Sequence, residues 1–177
     1  MANVNKLVPL IFKWEGNWSD NKNDKGGTTN MGITLSTWRS QGYDKNHDGK
    51  IDVKDLKLIT KQDVINLLKE NYWDRWHADL IENQSIANLL VDWVWNSGVH
   101  GIKIPQRVLK VIPDGVVGNK TLSTINKANQ EKLFDSLKQA RREFFIQIAR
   151  NDKSQLVFLK GWLNRLNDFK FVPTDKQ

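Results

Sequence analysis

Apolar residues recur every three or four positions along most of the chain, which is the period of an amphipathic α-helix. The first such run is Val4, Leu7, Val8, Ile11, Phe12 and Trp14. Glu15 and Gly16 follow it, and glycine commonly terminates a helix. The same spacing predicts five more helical segments: "GITLSTWRSQG" (32–42), "TKQDVINLLKENYWDRW" (60–76), "QSIANLLVDWVWNSG" (84–98), "IPQRVLKVI" (104–112) and "SQLVFLKGWLNRLNDF" (154–169). The chain is therefore predicted to be mainly α-helical.

Two segments differ from the others in the extent of their apolar surface. The segment 84–98 is apolar on nearly every side, which predicts a buried central helix that ends at Gly98. Between residues 122 and 149 the apolar positions advance by four, three, four and four: Leu133, Leu137, Ala140, Phe144 and Ile148. This spacing predicts one long amphipathic helix over 122–149.

The segment 15–34, "EGNWSDNKNDKGGTTNMGIT", interrupts the helical pattern. It is rich in glycine, aspartate, asparagine, serine and threonine, and it has hardly any aliphatic residue before Met31. These residue types favour turns and loops. We therefore expect a small irregular or β element near residues 16–34 within a mainly α fold.

Composition narrows the class of protein. The chain has 177 residues, of which 39% are hydrophobic, enough for one compact domain or two small lobes that share a core. It contains no cysteine, which excludes disulfides and thiolate metal sites. The first 16 residues lack the features of a signal peptide, and no apolar run approaches the roughly 18 residues of a membrane span. We expect synthesis in the bacterial cytoplasm without an evident leader, and no stable membrane insertion.

The charge balance indicates which partners the protein attracts. The net charge is +7 and the isoelectric point is about 9.6. Nucleic acid, anionic membranes and the bacterial cell wall are all polyanions that attract a basic protein. The positive charges are scattered among acids, without an arginine-rich arm, a zinc finger or an RNP-type motif, so we expect no nucleic-acid partner. His77 and His100 have no ligand-spaced partners, so no zinc site is indicated.

Carboxylates at the start of the polar segment offer glycosidase chemistry. Glycoside hydrolysis needs a carboxylic acid beside the scissile oxygen and often a second carboxylate across the sugar. Glu15 follows an apolar helix where the chain enters a loop, and Asp24 lies nine residues on. Gly26 and Gly27 let the backbone approach a ligand closely. Eight tryptophans are available either for core packing or for stacking on sugars. The alternative interpretation is a capped helix end followed by a solvated acidic loop.

The motif E-G-x-W-S-x-x-x-x-D-x-G-G-x-T-x-x-G-I-T, which begins at Glu15, resembles the N-terminal motif of glycoside hydrolase family 108, the N-acetylmuramidases. The resemblance implies a lysozyme-like helical fold in which Glu15 is the catalytic acid. Asn17 stands where the family usually has glycine. Phage-type lysozymes show a related E-x8-D-x5-T pattern. In this chain Thr29 lies one residue closer to Asp24 than that pattern requires. The residues and the resemblance together assign Glu15, Asp24 and Thr29 as catalytic. They assign Trp18, Gly27, Asn30 and Asn96 as substrate-binding.

The resemblance continues through the rest of the chain. "YWDRW" (72–76) and "DWVWNSG" (92–98) resemble landmarks of the family, and "PDGVVGNKTL" and "FLKGWLNRLND" resemble the predicted peptidoglycan-binding domain that follows it. The implied organisation is a catalytic part, residues 1–97, and a wall-binding helical part, residues 98–172, packed into one compact unit.

The resemblance also implies an activity. We expect a monomeric peptidoglycan hydrolase that acts on the cell wall, in the periplasm or outside the cell. It would cleave the β-1,4 bond between N-acetylmuramic acid and N-acetylglucosamine without a catalytic cofactor. The alternative is a non-catalytic module that binds the wall or assists protein secretion.

Asp92 and Asn96 lie on the most apolar predicted helix. A buried aspartate must be paired or neutral, so we expect Asp92 to hold backbone groups or an arginine such as Arg75. Asn96, near the helix end, would line the substrate cleft.

The segment 44–55, "DKNHDGKIDVKD", fits a calcium loop of the EF-hand type. Its oxygen ligands would be Asp44, Asn46, Asp48, the Lys50 carbonyl, Asp52 and Asp55, with Gly49 at the turn position. Aspartate at the last position resembles dockerin loops. We expect a structural Ca2+ in an insertion between helices, and the alternative is an Asx-rich surface turn.

Overall fold

The computed structural model describes residues 1–15 and 28–176, and this part of the chain is mainly α-helical. Its α-helices are α1 (Val8–Trp14), α2 (Leu35–Gln41), α3 (Val53–Leu58), α4 (Lys61–Leu68), α5 (Gln84–Ser97), α6 (His100–Val108), α7 (Asn119–Lys127), α8 (Gln130–Asn151) and α9 (Leu156–Asp168). Short 3-10 turns lie at Val4–Lys6, Asp74–Trp76, Ala78–Leu80, Lys153–Gln155 and Thr174–Lys176, and a π turn at Lys69–Trp73. No helix in the described ranges is long and apolar enough to span a membrane.

The expected β element lies at the end of the polar segment. Strand β1 (Thr29–Asn30) pairs antiparallel with β2 (Ile33–Thr34), so that Thr29 faces Thr34 and Asn30 faces Ile33. This hairpin, residues 29–34, falls within residues 16–34, which confirms the sequence prediction of a mainly α fold with a small β element.

The chain forms two compact units. One comprises residues 7–72 and holds α1, the hairpin and α2 to α4. The other comprises residues 1–6 and 73–177 and holds α5 to α9.

Helix α5 is the core of the second unit, as its apolar sequence predicts. Every residue from Gln84 to Val94 is buried, and α6 and α8 pack against this helix. Asn83 caps its first turn by accepting a hydrogen bond from the Ile86 N–H at 3.1 Å. The Gly98 N–H, which donates to Val94 O at 2.8 Å, closes its last turn.

The prediction of one helix over 122–149 is wrong. The chain leaves helical geometry at Ala128, whose ψ is 158°, and α8 begins after Asn129. The Asn129 side chain accepts from the Lys132 N–H at 3.0 Å, and the Gln130 amide donates to the carbonyls of Ile125 and Ala128, each at 2.8 Å. Asparagine favours such a cap over a helix interior, and this local preference separates α7 from α8.

Asp92 is paired inside the second unit, but with Arg141 and Arg165 and not with Arg75. Its carboxylate accepts from Arg141 Nη2 at 2.7 Å and from Arg165 Nη2 at 2.6 Å, which joins α5 to α8 and α9. Asp92 and Arg141 are fully buried, and Arg165 is 8% exposed. Burial alone would raise the pKa of Asp92, but the two guanidinium groups outweigh it and hold the pKa below its usual range.

Candidate active site

Glu15 lies at the C-terminal end of α1 in the first unit. Its N–H donates to the Ile11 carbonyl at 3.0 Å, and its own backbone is extended, with φ −84° and ψ 125°. Leu7 and Ile11 are fully buried, so the apolar face of the helix fixes the helix in the unit. The Glu15 side chain therefore extends from the end of a packed helix, where the sequence predicted that the helix ends.

The carboxyl group of Glu15 lies directly against Gly32, in the turn of the hairpin. A Cβ built on Gly32 would lie 2.5 Å from Cδ and 2.6 Å from Cγ of Glu15, and it would also overlap Oε2. Real Cβ atoms essentially never approach other heavy atoms this closely. Because Gly32 has no side chain, the Glu15 carboxyl group occupies the space that a Cβ would take.

The geometry of the turn explains why Gly32 faces the acid. Met31 and Gly32 are the two residues between the strands, and both have positive φ, 47° and 82°. A two-residue hairpin loop with positive φ at both positions is a type I′ turn, whose twist matches that of the strands. Glycine adopts such angles without strain, whereas methionine adopts them at some cost.

Contacts on both sides of the turn hold the hairpin in its unit. The Asn30 side-chain amide donates to the Leu56 carbonyl of α3 at 2.8 Å, and Leu56 is fully buried. Ile33 is 1% exposed. The Leu35 N–H donates to the Thr28 carbonyl at 2.9 Å, which closes the base of the hairpin where α2 begins. The turn that touches Glu15 is therefore anchored to both α2 and α3.

Three of the residues predicted as catalytic or substrate-binding fall in this part of the first unit. Glu15 contacts the hairpin turn, while Thr29 and Asn30 form strand β1. Asn30 uses its amide nitrogen to anchor the hairpin to α3. Asn96 lies in the second unit, exposed near the end of α5, where its amide donates to Asp92 O at 2.8 Å. The predictions for Trp18, Asp24 and Gly27 lie outside the described residues.

The segment 44–55 folds into a turn closed by its own side chains. The Asp44 carboxylate accepts from the N–H groups of Asp48, at 3.2 Å, and Gly49, at 2.7 Å. Gly49 has φ +84°, which suits the turn position predicted for it. Asp52 caps α3 by accepting from the Lys54 N–H at 2.7 Å. Asn46 and Lys50 lie on the rim of the same turn, where Asn46 Oδ1 accepts from the Asp48 N–H and the Lys50 N–H donates to Asp48.

Asp55 is the buried member of this segment. Its carboxylate accepts from the N–H groups of Asp52 (2.8 Å), Lys45 (2.8 Å) and Asn46 (3.1 Å), which ties the exit helix to the start of the loop. The hydrogen bond from Asp52, together with the other two, lowers the pKa of Asp55. Across residues 1–15 and 28–176, no three histidine or acidic side chains converge on one point as a ready metal cluster.

A second polar network lies beside this loop, and the sequence analysis missed it. Asp63 accepts from Tyr43 Oη and from Lys45 Nζ, each at 2.8 Å, and from the Thr60 N–H at 2.6 Å. Burial alone would raise the pKa of Asp63, but these hydrogen bonds lower it to about 2. The network borders a pocket of about 170 Å3 that Trp38 and Glu70 also line. Thr60-x-x-Asp63 is a local capping pattern, but the partners of Asp63 18 and 20 residues earlier carry no local signal.

In the second unit, Gln106 organises the turn "PDGVVG" (113–118). Its side chain is 1% exposed and bonds Asp114 Oδ1, the Val116 carbonyl and the Gly115 N–H, each at 2.9 Å. The turn leaves Val116 68% exposed, and Ile112 just before it is 71% exposed. This segment thus presents apolar side chains to solvent from a fixed backbone.

Comparisons with known proteins agree with this architecture. The family model described as Glycosyl hydrolase 108 matches residues 8–98, and the model described as Predicted Peptidoglycan domain matches residues 100–167. The solved structure titled "Structure of Brucella abortus SagA" is 29% identical, covers 94% of this chain and 90% of that chain, and superposes with a TM-score of 0.77. A search of curated proteins found no match. The order of the two family models confirms the predicted resemblance, and the similarity to the solved structure confirms the predicted lysozyme-like helical fold.

Proposed function

This chain belongs to the glycosyl hydrolase 108 family, and we propose that it is an N-acetylmuramidase. The proposed reaction is hydrolysis of the β-1,4 bond between N-acetylmuramic acid and N-acetylglucosamine in peptidoglycan. At the coarser level the two family models already indicate a glycoside hydrolase with a peptidoglycan partner, and therefore action outside the cytoplasm.

One observation carries the proposal. The carboxyl group of Glu15 is held between a packed helix end and an anchored hairpin turn, inside the segment that matches the hydrolase family. A catalytic acid needs such fixed placement, because proton donation to the leaving oxygen depends on a hydrogen-bond distance to it. An acid on a solvated loop would lack this support.

In the proposed mechanism, Glu15 protonates the glycosidic oxygen as the bond to the sugar breaks. Positioned general acids contribute about 10²- to 10⁴-fold to such reactions. Asp24 is assigned to stabilise the positively charged, oxocarbenium-like sugar or to position the attacking water. Thr29, on strand β1, is assigned to position the same attacking water.

The second unit is proposed to hold the wall polymer. The exposed apolar residue Val116 stands on a turn fixed by Gln106, and the exposed Ile112 lies just before it, which presents a contact surface at little entropic cost. The net charge of +7 favours a polymer that carries lactyl and peptide carboxylates.

Substrate preference tests this proposal. Purified protein should solubilise isolated peptidoglycan and leave chitin oligomers, which lack the carboxylates, largely intact. Lysis should fall as salt rises, because salt screens the attraction between a basic protein and an anionic polymer. Release of dyed fragments from peptidoglycan at low and high salt, with chitin oligomers in parallel, measures both. Equal turnover of chitin, or lysis indifferent to salt, would count against the assigned substrate.

Calcium binding by the loop 44–55 is the second part of the proposal. Asp44, Asn46 and Asp48 lie close together around one turn, and glycine with φ +84° occupies the turn position. Oxygen donors in this arrangement suit Ca2+, which takes six to eight such ligands. Asp55 would have to exchange hydrogen bonds from the backbone for the metal, which would weaken affinity. The role assigned to the metal is structural, with no step in catalysis.

Thermal unfolding measures this calcium site. Calcium at 100 times its dissociation constant should stabilise the protein by about 2.7 kcal/mol relative to EDTA. Asp44→Ala should remove the difference, because it deletes the first ligand, whereas Asp135→Asn on the exposed face of α8 should keep it. A wild-type melting curve that is identical in EDTA and in millimolar calcium would refute the site.

A further inference from the structure

We propose that Gly32 is a positioning residue for the carboxyl group of Glu15, and that any side chain at this position displaces the catalytic acid. The inference rests on the proposed hydrolase function and deepens it. It concerns a residue that makes no assigned contact with substrate and acts through Glu15.

Gly32 and the carboxyl group of Glu15 are in direct contact. A Cβ on Gly32 would lie 2.5 Å from Cδ and 2.6 Å from Cγ of Glu15 and would overlap Oε2. Ordinary van der Waals contact begins at about 3.4 Å, so the two groups must separate by about 1 Å. Either the hairpin or the glutamate side chain has to supply this movement.

The glutamate is the group that moves. The hairpin is held by the Asn30 bond to Leu56 at 2.8 Å, by the buried Ile33, and by the Leu35–Thr28 backbone bond at 2.9 Å. The Glu15 carboxyl group, in contrast, is the far end of a side chain with three rotatable bonds, so it gives way before the anchored backbone of the hairpin. A methyl group at position 32 is therefore expected to shift the acid and leave the fold in place.

A displacement of this size is large for catalysis. Misplacing a reacting group by about 1 Å can lower the rate about 100-fold, because proton transfer requires a heavy-atom distance of about 2.6–3.2 Å. Contacts that the substrate makes with other residues would not depend on this carboxyl group. The predicted signature is a loss in kcat with little change in KM.

Backbone strain is the competing explanation, because Gly32 has φ +82° and alanine disfavours positive φ. Gly98 provides the control. Its φ is +54°, and a Cβ built on it meets no atom within 4 Å. Gly98→Ala thus adds strain without a collision. Gly32→Asn supplies the opposite case, because asparagine tolerates positive φ better than alanine and still carries the colliding Cβ.

Steady-state kinetics on soluble peptidoglycan fragments separate these explanations. We expect Gly32→Ala and Gly32→Asn to lose about 100-fold in kcat while KM stays within about twofold. Gly98→Ala should melt at a lower temperature than wild type and keep its kcat. The inference is overturned if either Gly32 variant keeps its kcat, or if Gly98→Ala loses as much.

A second readout does not require activity. The 13C signal of the Glu15 carboxyl carbon, assigned by its absence in Glu15→Gln, should move in both Gly32 variants and stay in place in Gly98→Ala. If wild type fails to hydrolyse peptidoglycan, the proposed function fails, and this signal alone decides on the contact. An unchanged Glu15 signal in folded Gly32→Ala would refute the positioning role.

Discussion

Glu15→Gln should abolish hydrolysis of peptidoglycan and leave the protein folded. Glutamine has the shape of glutamate, so the contact with Gly32 survives. Its amide cannot donate the proton that the leaving oxygen needs, and we expect the rate to fall by about 10³-fold or more. Release of soluble fragments from purified walls measures the rate, and a melting curve measures the fold. The melting temperature should change little.

Two companion variants sharpen this result. Glu143→Gln makes the same chemical change on the exposed face of α8 and should keep wild-type lysis. Asp24→Asn should lose less than Glu15→Gln, because stabilising charge or positioning water is partly replaceable. If Glu15→Gln retains near-wild-type lysis, another residue is the acid, and a non-catalytic wall-binding role becomes the better account.

Asp92→Ala should be the most damaging single change to stability. Removal of this carboxylate leaves the guanidinium groups of Arg141 and Arg165 buried without their charge partner. Breaking a buried ion pair from one side costs about 3–5 kcal/mol, which is a large share of the 5–15 kcal/mol typical of a folded domain. Urea unfolding at neutral pH measures the free energy of unfolding. Asp135→Asn, on the exposed face of α8, is the matched control and should leave this free energy nearly unchanged.

A triple variant tests the electrostatic cause. Replacing all three partners, with Asp92→Leu, Arg141→Met and Arg165→Leu, removes every buried charge of the cluster together. The rings of Trp93, Phe145 and Phe169 already surround Arg141 at 5.4–5.8 Å, so apolar side chains suit the site. We expect the triple variant to recover most of the stability lost in Asp92→Ala. Equal instability of both would show that packing, and not unpaired charge, is the cause.

Local patterns in the sequence predicted much of this molecule. The apolar period located α1, α2, α5 and α9, and the buried face of α5 followed from its composition. Turn-prone residues predicted the hairpin within residues 16–34. These features depend on neighbours within about one turn of helix or one hairpin, which the sequence displays directly.

Contacts between distant residues escaped the sequence analysis. The partners of Asp92 lie 49 and 73 residues away, and the burial that forces this pairing gives no hint of which arginine is used. The contact of Gly32 with Glu15 depends on the positive φ angles of the two turn residues, which bring Gly32 against the acid. The motif that begins at Glu15 includes Gly32 but does not show this contact. The break at Ala128 was missed because the apolar positions that defined the predicted helix, Leu133 to Ile148, all lie beyond it, whereas the side chains of Asn129 and Gln130 cap the start of α8 and the end of α7.

The chemical identity of the new chain end tests the central claim most directly. Peptidoglycan digested by the wild-type protein should be reduced with borohydride, hydrolysed in acid and analysed for amino sugar alcohols. A muramidase exposes the reducing end of N-acetylmuramic acid, so we expect muramitol to rise with digestion in wild type and to stay at background in Glu15→Gln. Glucosaminitol as the product, or muramitol released equally by Glu15→Gln, would contradict the account.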